Sequence, residues 1–236
     1  MSDALTLCYH AVSDTWDRSL ALPERRLLRQ VRLLRAFGFR PCTATEVITG
    51  RGRRFHVTFD DAYSGITGTL ERLLALGVPH SVFVCSDLAD RGGAPLTIPE
   101  LRDEPLHELK TMSWDDVRAV SDLGTSMFSH TVSHPHLPEL SDAELDAELQ
   151  TSKTRLEDEL ATSCPFLAYP FGEHDDRVRA AARRAGYEAA FALGRSGRLD
   201  DPFALPRIGI YRRDNLLRAA AKATPYVRRR HYAMRP

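Results

Sequence analysis

The chain has 236 residues, of which 43% are hydrophobic and 27% charged, ordinary proportions for a folded globular protein, and its glycines and prolines are too scattered for disorder. Lysine plus arginine number 32 against 32 aspartates and glutamates, so the molecule as a whole has no field that would steer it onto nucleic acid. The opening MSDALTLCYHAVSD has no basic stretch ahead of a long apolar run, and no segment approaches a membrane span, so neither export nor a transmembrane anchor is expected and the protein reads as cytoplasmic.

In chain order, Leu5 to Tyr9 reads as a strand, and Pro23 to Phe37 as a helix that opens on proline, sets Leu27, Leu28, Val31 and Leu34 on one side and stops at Gly38. Strands follow at Phe39 to Cys42 and Phe55 to Phe59, then a helix from Thr69 to Leu76 closed by Gly77, then a strand from Ser81 to Cys85. A loop from Asp90 to Thr111 is long enough to serve as a lid or groove wall. After a strand at Ser126 to Ser129, the Ser141/Glu144 capping box opens a helix with Leu145, Leu149, Leu156 and Leu160 on one face. The chain continues with a strand at Phe166 to Tyr169, a helix from Val178 to Ala185 closed by Gly186, and strands at Ala189 to Leu193 and Leu205 to Ile210. Cys8, Cys42, Cys85 and Cys164 sit mostly in the apolar runs and read as reduced core residues. The alternation is that of βα units, with enough strands for a distorted (β/α) barrel of about seven strands in one domain, 1–236. From Arg207 onward eight arginines and one lysine face a single acid, Asp214. That basic end, and the tail at about 224–236 in particular, is either simply solvated or in weak contact with an anionic substrate or membrane surface.

Polar residues collect where strands end: His10, then Asp60 and Asp61, then His130, then Tyr169, Pro170, Phe171 and Gly172. In a parallel barrel those ends share one mouth, where active sites are built. Two adjacent carboxylates raise each other's pKa unless a cation intervenes. One can then hold a metal while its neighbour takes a proton from water, although an Asp pair also serves simply to cap a helix. His130 and His134 are spaced to reach one ion, and Pro135 turns His134 away from helical geometry. Alone this spacing is weak. With an Asp from another strand end it makes a two-His, one-carboxylate site with open positions, suited to hydrolysis.

TFDD, SHTVSHP and AYPFG, in that order and spacing, resemble the first three motifs of the NodB-homology polysaccharide deacetylases, carbohydrate esterase family 4. The resemblance covers most of the chain and implies a NodB-type barrel. It also implies Asp60 as general base and Asp61, His130 and His134 as ligands of one divalent ion, with zinc expected and cobalt or nickel as alternatives. Tyr169, Pro170 and Phe171 would line the pocket, the Phe171 amide facing the oxyanion. Three positions depart from the pattern. Ala62 replaces the glycine after TFDD. Ala168 stands where an arginine usually orients the base, and Arg207 is the candidate replacement or else a surface salt-bridge residue. No late LxH motif supplies the catalytic acid. LTLCYHAV is similar to the YH motif of the circularly permuted branch, resembling poly-N-acetylglucosamine deacetylases, which makes His10 the acid.

Trp114 matches the placement of the family's fourth motif, whose Trp walls the sugar groove, while Asp115 and Asp116 read as helix acids behind a Ser113 cap. Tyr63 and Tyr169 stack on sugar or fill the pocket wall. The expected activity is metal-dependent removal of an N-acetyl group from an N-acetylhexosamine glycan or glycoside. The alternatives are a carbohydrate O-acetyl esterase, a non-sugar amidase, or a carbohydrate-binding protein of this fold that has lost catalysis. A cytoplasmic enzyme would meet a lipid-linked or nucleotide-linked sugar or a small glycoside.

Overall fold

The computed structural model describes residues 4–198 and 200–214; the tail expected at about 224–236 lies outside them. The first strands are β1 (Leu5–Tyr9), β2 (Ala11–Val12) and β3 (Ala21–Leu22), followed by α1 (Glu24–Ala36), β4 (Arg40–Pro41), α2 (Ala44–Thr49) and β5 (Arg54–Phe59). Next come α3 (Thr67–Ala75), β6 (His80–Val84), α4 (Ser86–Asp90), α5 (Trp114–Asp122), β7 (Ser126–Ser129) and α6 (Asp142–Leu160). The described part ends with β8 (Phe166–Ala168), α7 (Asp176–Arg184), β9 (Ala189–Leu193) and β10 (Leu205–Gly209).

Seven strands pair side by side in the order β1, β10, β9, β8, β7, β6, β5, and β5 returns to β1, closing a parallel ring. The closure is well registered: Leu5 to Tyr9 run opposite Phe55 to Phe59, and Leu7 and Cys8 face Ile208 and Gly209. Strands covered inside by packed side chains and outside by helices have no polar face to alternate, so β1 and β6 are buried along their whole length. Phe55, Phe59, Phe83, Phe166 and Phe191 are among the largest side chains fully buried, so the barrel is a filled core rather than a pore. The segment expected as a strand from Phe39 to Cys42 forms only the two residues of β4, paired with the first two of β5 below the point where β6 joins that edge. It therefore stands outside the ring.

Local chemistry accounts for the helix positions. Thr43 with Glu46, Ser113 with Asp116 and Ser141 with Glu144 each form a reciprocal capping box, at the start of α2, α5 and α6. In α1 the buried face holds Leu27, Gln30, Val31 and Leu34. Gln30 takes the place expected for Leu28 because its Oε1 accepts the Tyr9 hydroxyl at 2.8 Å, satisfying two buried polar groups at once. All four cysteines are buried and free. Among the described residues no helix is long and apolar enough to cross a membrane.

One buried group ties the barrel's stability to pH. His56 on β5 donates Nδ1–H to the Cys42 carbonyl at 2.7 Å and accepts from Ser81 at 3.0 Å, an arrangement only the neutral ring can make. Burial pushes its pKa down to about 4. Between that value and the ordinary 6.5 the unfolded chain binds the extra proton, so stability falls on acidification through this window, by about 3 kcal/mol at its foot. Denaturation midpoints measured from pH 7 to 4 should show this slope, and His56→Gln should flatten it. An identical slope in the variant would exclude His56 as the source.

Candidate active site

The strand ends deliver the site. β1 runs into His10, β5 into Asp60 and Asp61, β7 into His130, and β8 leads through Tyr169 to Phe171. The ladders continue one residue past two of these ends, with Asp60 N–H donated to Tyr9 O and His130 N–H to Val84 O, both at 2.9 Å. The turns that follow are tight. Asp61 (φ 67°), Ala62 (φ 50°), Thr131 (φ 71°), His134 (φ 62°) and Phe171 (φ 57°) all take left-handed backbone conformations, each costing about 1–3 kcal/mol in a residue other than glycine. Ala62 thus keeps the turn that glycine would make more cheaply. Gly172 (φ 72°) has no such latitude, since a Cβ there would stand 2.4 Å from the Cβ of Leu193.

Asp61, His130 and His134 point at one another, with one potential ligand atom from each lying within 4.8 Å of the others. Nε2 of His130 and of His134 stand 3.4 and 3.3 Å from Asp61 Oδ1, yet that oxygen is buried with no hydrogen-bond partner among the described residues. An orphaned buried carboxylate oxygen is costly, and a cation among the three atoms removes the cost. The tautomer of His130 is set for this. Its Nδ1 lies 2.8 Å from the Ala168 carbonyl, which can only accept, so Nδ1 carries the proton and Nε2 presents its lone pair to the cluster. His134 is carried by a loop whose Val132 and Ser133 amides donate to Glu148 on α6 at 2.8 and 3.0 Å. Two imidazoles and a carboxylate form a donor set that fits a zinc-type ion with open positions.

Asp60 is held differently. Arg207 from β10 forks its carboxylate, Nη1 to Oδ1 at 2.5 Å and Nη2 to Oδ2 at 2.8 Å. Arg207 is 0% exposed, with its guanidinium over the Phe83 and Phe191 rings inside the barrel, so it is not a surface salt-bridge residue. Burial pushes the Asp60 carboxyl up, but the adjacent Arg207 charge and its hydrogen bonds, together with His130 and His10, outweigh it and hold the group below its ordinary value, and therefore ionised. The Cys8 thiol also donates to Oδ2, at 3.3 Å. Cys8, His10 and Asp60 each bring a ligand-type atom within 4.8 Å of the others, but a cation there would face the Arg207 guanidinium, so the Asp61 cluster is the metal candidate. His10, stacked near Tyr211, leaves Nδ1 without a partner, and burial lowers its pKa. A ring so placed gives up a proton readily, and it serves as donor from its protonated form.

These groups line a pocket of about 160 Å³ together with Leu20, Ile98, Glu100, Leu101 and Leu193. That is below the ~300–1,000 Å³ that enclose a whole drug-sized ligand, so only the reacting end of a sugar would enter. The wall from Ile98 to Leu101 comes from the long loop, as its length suggested. Of the residues expected to touch substrate, Phe171 lines the pocket, with His134 against its edge and His136 stacked at 4.0 Å. The other four side chains do not line it. Tyr169 is fully buried with its hydroxyl on the Phe203 carbonyl, and Pro170 is buried beneath the turn. Tyr63 packs edge-on against Trp16. Trp114 gives its indole N–H to Asp90 and lies under the Arg155 guanidinium. Asp116 closes the Ser113 capping box and Asp115 pairs with Arg118. Cys8, which reads from the sequence as a core residue, and Glu148, Ile98, Glu100 and Leu101 carry no sequence signal that points to the site.

Residues 48–190 match the family model for polysaccharide deacetylase. A Bacillus subtilis (strain 168) protein, YxkH, whose name describes it as a polysaccharide deacetylase, is 20% identical over 214 residues, which is 86% of this chain and 70% of that protein. Among solved structures, the Streptococcus pyogenes deacetylase PplD in complex with acetate superposes with a TM-score of 0.78 at 20% identity, covering 94% of this chain and 98% of that one. IcaB from Ammonifex degensii superposes with a TM-score of 0.76 at 19% identity, covering 94% and 97%. At such identities the structural likeness establishes the shared barrel.

Proposed function

The chain belongs to the polysaccharide deacetylase family, and from that membership we propose that it is a metal-dependent hydrolase removing an N-acetyl group from an N-acetylhexosamine in a glycan or glycoside. The observation that carries the reading is the orphaned Asp61 Oδ1 facing the ring nitrogens of His130 and His134. When bound, a divalent ion held by these three residues supplies Lewis acidity toward the acetyl carbonyl and lowers the pKa of a water. Asp60, kept ionised by Arg207, accepts the proton of the attacking water. The Phe171 amide is the candidate donor to the oxyanion. His10, at the same mouth, protonates the departing nitrogen, without which an amine is a poor leaving group.

The test is acetate release from N-acetyl and O-acetyl glycosides by purified, zinc-loaded protein. Release from the N-acetyl glycoside is expected, and release from the O-acetyl ester alone would overturn the assignment to amides. His134→Ala should weaken metal affinity by more than about a hundredfold, beyond the range seen for outer-shell partners, read as metal stoichiometry after dialysis. Retention at the wild-type level would remove His134 from the metal site.

A further inference from the structure

A second, larger cleft adjoins the catalytic pocket. It measures about 970 Å³ and its wall includes Arg18, Arg26, Arg212 and Arg213, with Asp17 as the one carboxylate in the lining among the described residues. The two cavities share a partition: Ser19 and Tyr211 face the cleft, while Leu20 and His10 face the catalytic pocket, and the Tyr211 and His10 rings stack with centroids 6.3 Å apart. A group in the cleft would sit one aromatic ring away from the proposed acid.

Arg26 presents an exposed guanidinium to the cleft. Arg26, exposed on the first turn of α1, gives Nη1 to the Arg212 carbonyl at 2.8 Å and forms no ion pair among the described residues. Arg212, 21% exposed, is paired with Asp17, 85% exposed, and Arg18, 60% exposed, is paired at 3.1 Å with Glu104, 14% exposed. Each pair has one member open to solvent, where screening weakens the attraction, and a better-matched oxyanion competes for the guanidinium. Guanidinium forks match phosphate oxygens two at a time, and a phosphate monoester carries close to two negative charges at neutral pH where a carboxylate carries one. A neutral or amine-bearing glycan has nothing for these arginines to hold. Arg212 and Arg213 also belong to the basic run that begins at Arg207, of which the deacetylase chemistry uses Arg207 and neither of these two.

We propose that this cleft is a subsite for the phosphate of a phosphate-bearing N-acetylated saccharide, anchoring it while the acetamide occupies the neighbouring pocket. The inference rests on the deacetylase reading for its second half only. The phosphate site itself is tested by binding.

With zinc-loaded protein at fixed ionic strength, N-acetylglucosamine 1-phosphate and the uncharged methyl glycoside of N-acetylglucosamine serve as paired probes. The phosphorylated sugar should bind and turn over with a lower KM, and Arg26→Gln should raise that KM by about tenfold, as expected for a lost charge-assisted contact. The kcat on both sugars and the KM for the methyl glycoside should stay as in the wild type. Arg26→Lys, which keeps the charge, should recover part of the difference. If neither sugar releases acetate, the activity reading fails, and equilibrium dialysis of the sugar phosphate against wild type and Arg26→Gln still decides the site. Equal affinity for the two probes in the wild type, or phosphate binding unchanged by Arg26→Gln and so owed to the metal centre, would overturn the proposal.

Discussion

Asp60→Asn is expected to lower turnover by at least about 10²–10⁴-fold, the usual contribution of a positioned general base, while zinc content stays at the wild-type level. The substitution keeps the side chain's shape, and Asp61, His130 and His134 keep their ligand atoms, so metal retention separates loss of the base from collapse of the site. An amide has one acceptor oxygen where the carboxylate has two, and Arg207 uses both. In the variant one guanidinium N–H meets an NH₂ donor and the buried cation loses its counter-charge, so a lower melting temperature accompanies the lost activity. The effect should fall on kcat more than KM, because the proton transfer belongs to the transition state. Acetate release at the wild-type rate from folded, zinc-loaded Asp60→Asn would transfer the role of base to another group.

The barrel was readable because its signals are local. Strands buried on both faces show as uninterrupted apolar runs, such as LTLCY and HSVFV, and the helices between them announce their starts through caps. The candidate site was readable for a related reason: in a parallel ring, polar residues just past apolar runs must share one mouth, and chain order alone therefore places His10, Asp60, Asp61 and His130 together. What sequence cannot carry is the direction of a side chain beyond the strand end. Tyr169 looks like a pocket residue, but its hydroxyl is claimed by the carbonyl of Phe203, 34 residues later. Trp114 is claimed by Asp90 and Arg155 in the same way. Cys8 reads as one more apolar strand residue; only the pairing of β1 with both β5 and β10 brings its thiol to Asp60. Arg207 stood open between two readings until burial decided, because a charge with no exposed surface must be paired and here the partner is Asp60.

Arg207→Ala is the substitution with the largest expected cost to the fold. It leaves the Asp60 carboxylate inside the barrel without its counter-charge and opens a void between the Phe83 and Phe191 rings. Breaking a buried pair from one side costs about 3–5 kcal/mol, which for a chain of this size lowers the melting temperature by about 10 °C. The functional consequence follows from the same electrostatics. Burial raises the Asp60 pKa, and the Arg207 charge and hydrogen bonds, with His130 and His10 adding to them, bring it below the ordinary value. Without the guanidinium the largest influence opposing burial is gone, the carboxyl holds its proton to higher pH, and less of the base is ionised near neutrality. The acid limb of the rate profile should therefore move to higher pH, with part of the lost turnover recovered on the alkaline side. Arg207→Lys restores the charge without the fork, and should bring back most of the acid limb but less of the stability. A variant that melts with the wild type and keeps its acid limb would show that Asp60 is set by groups other than Arg207.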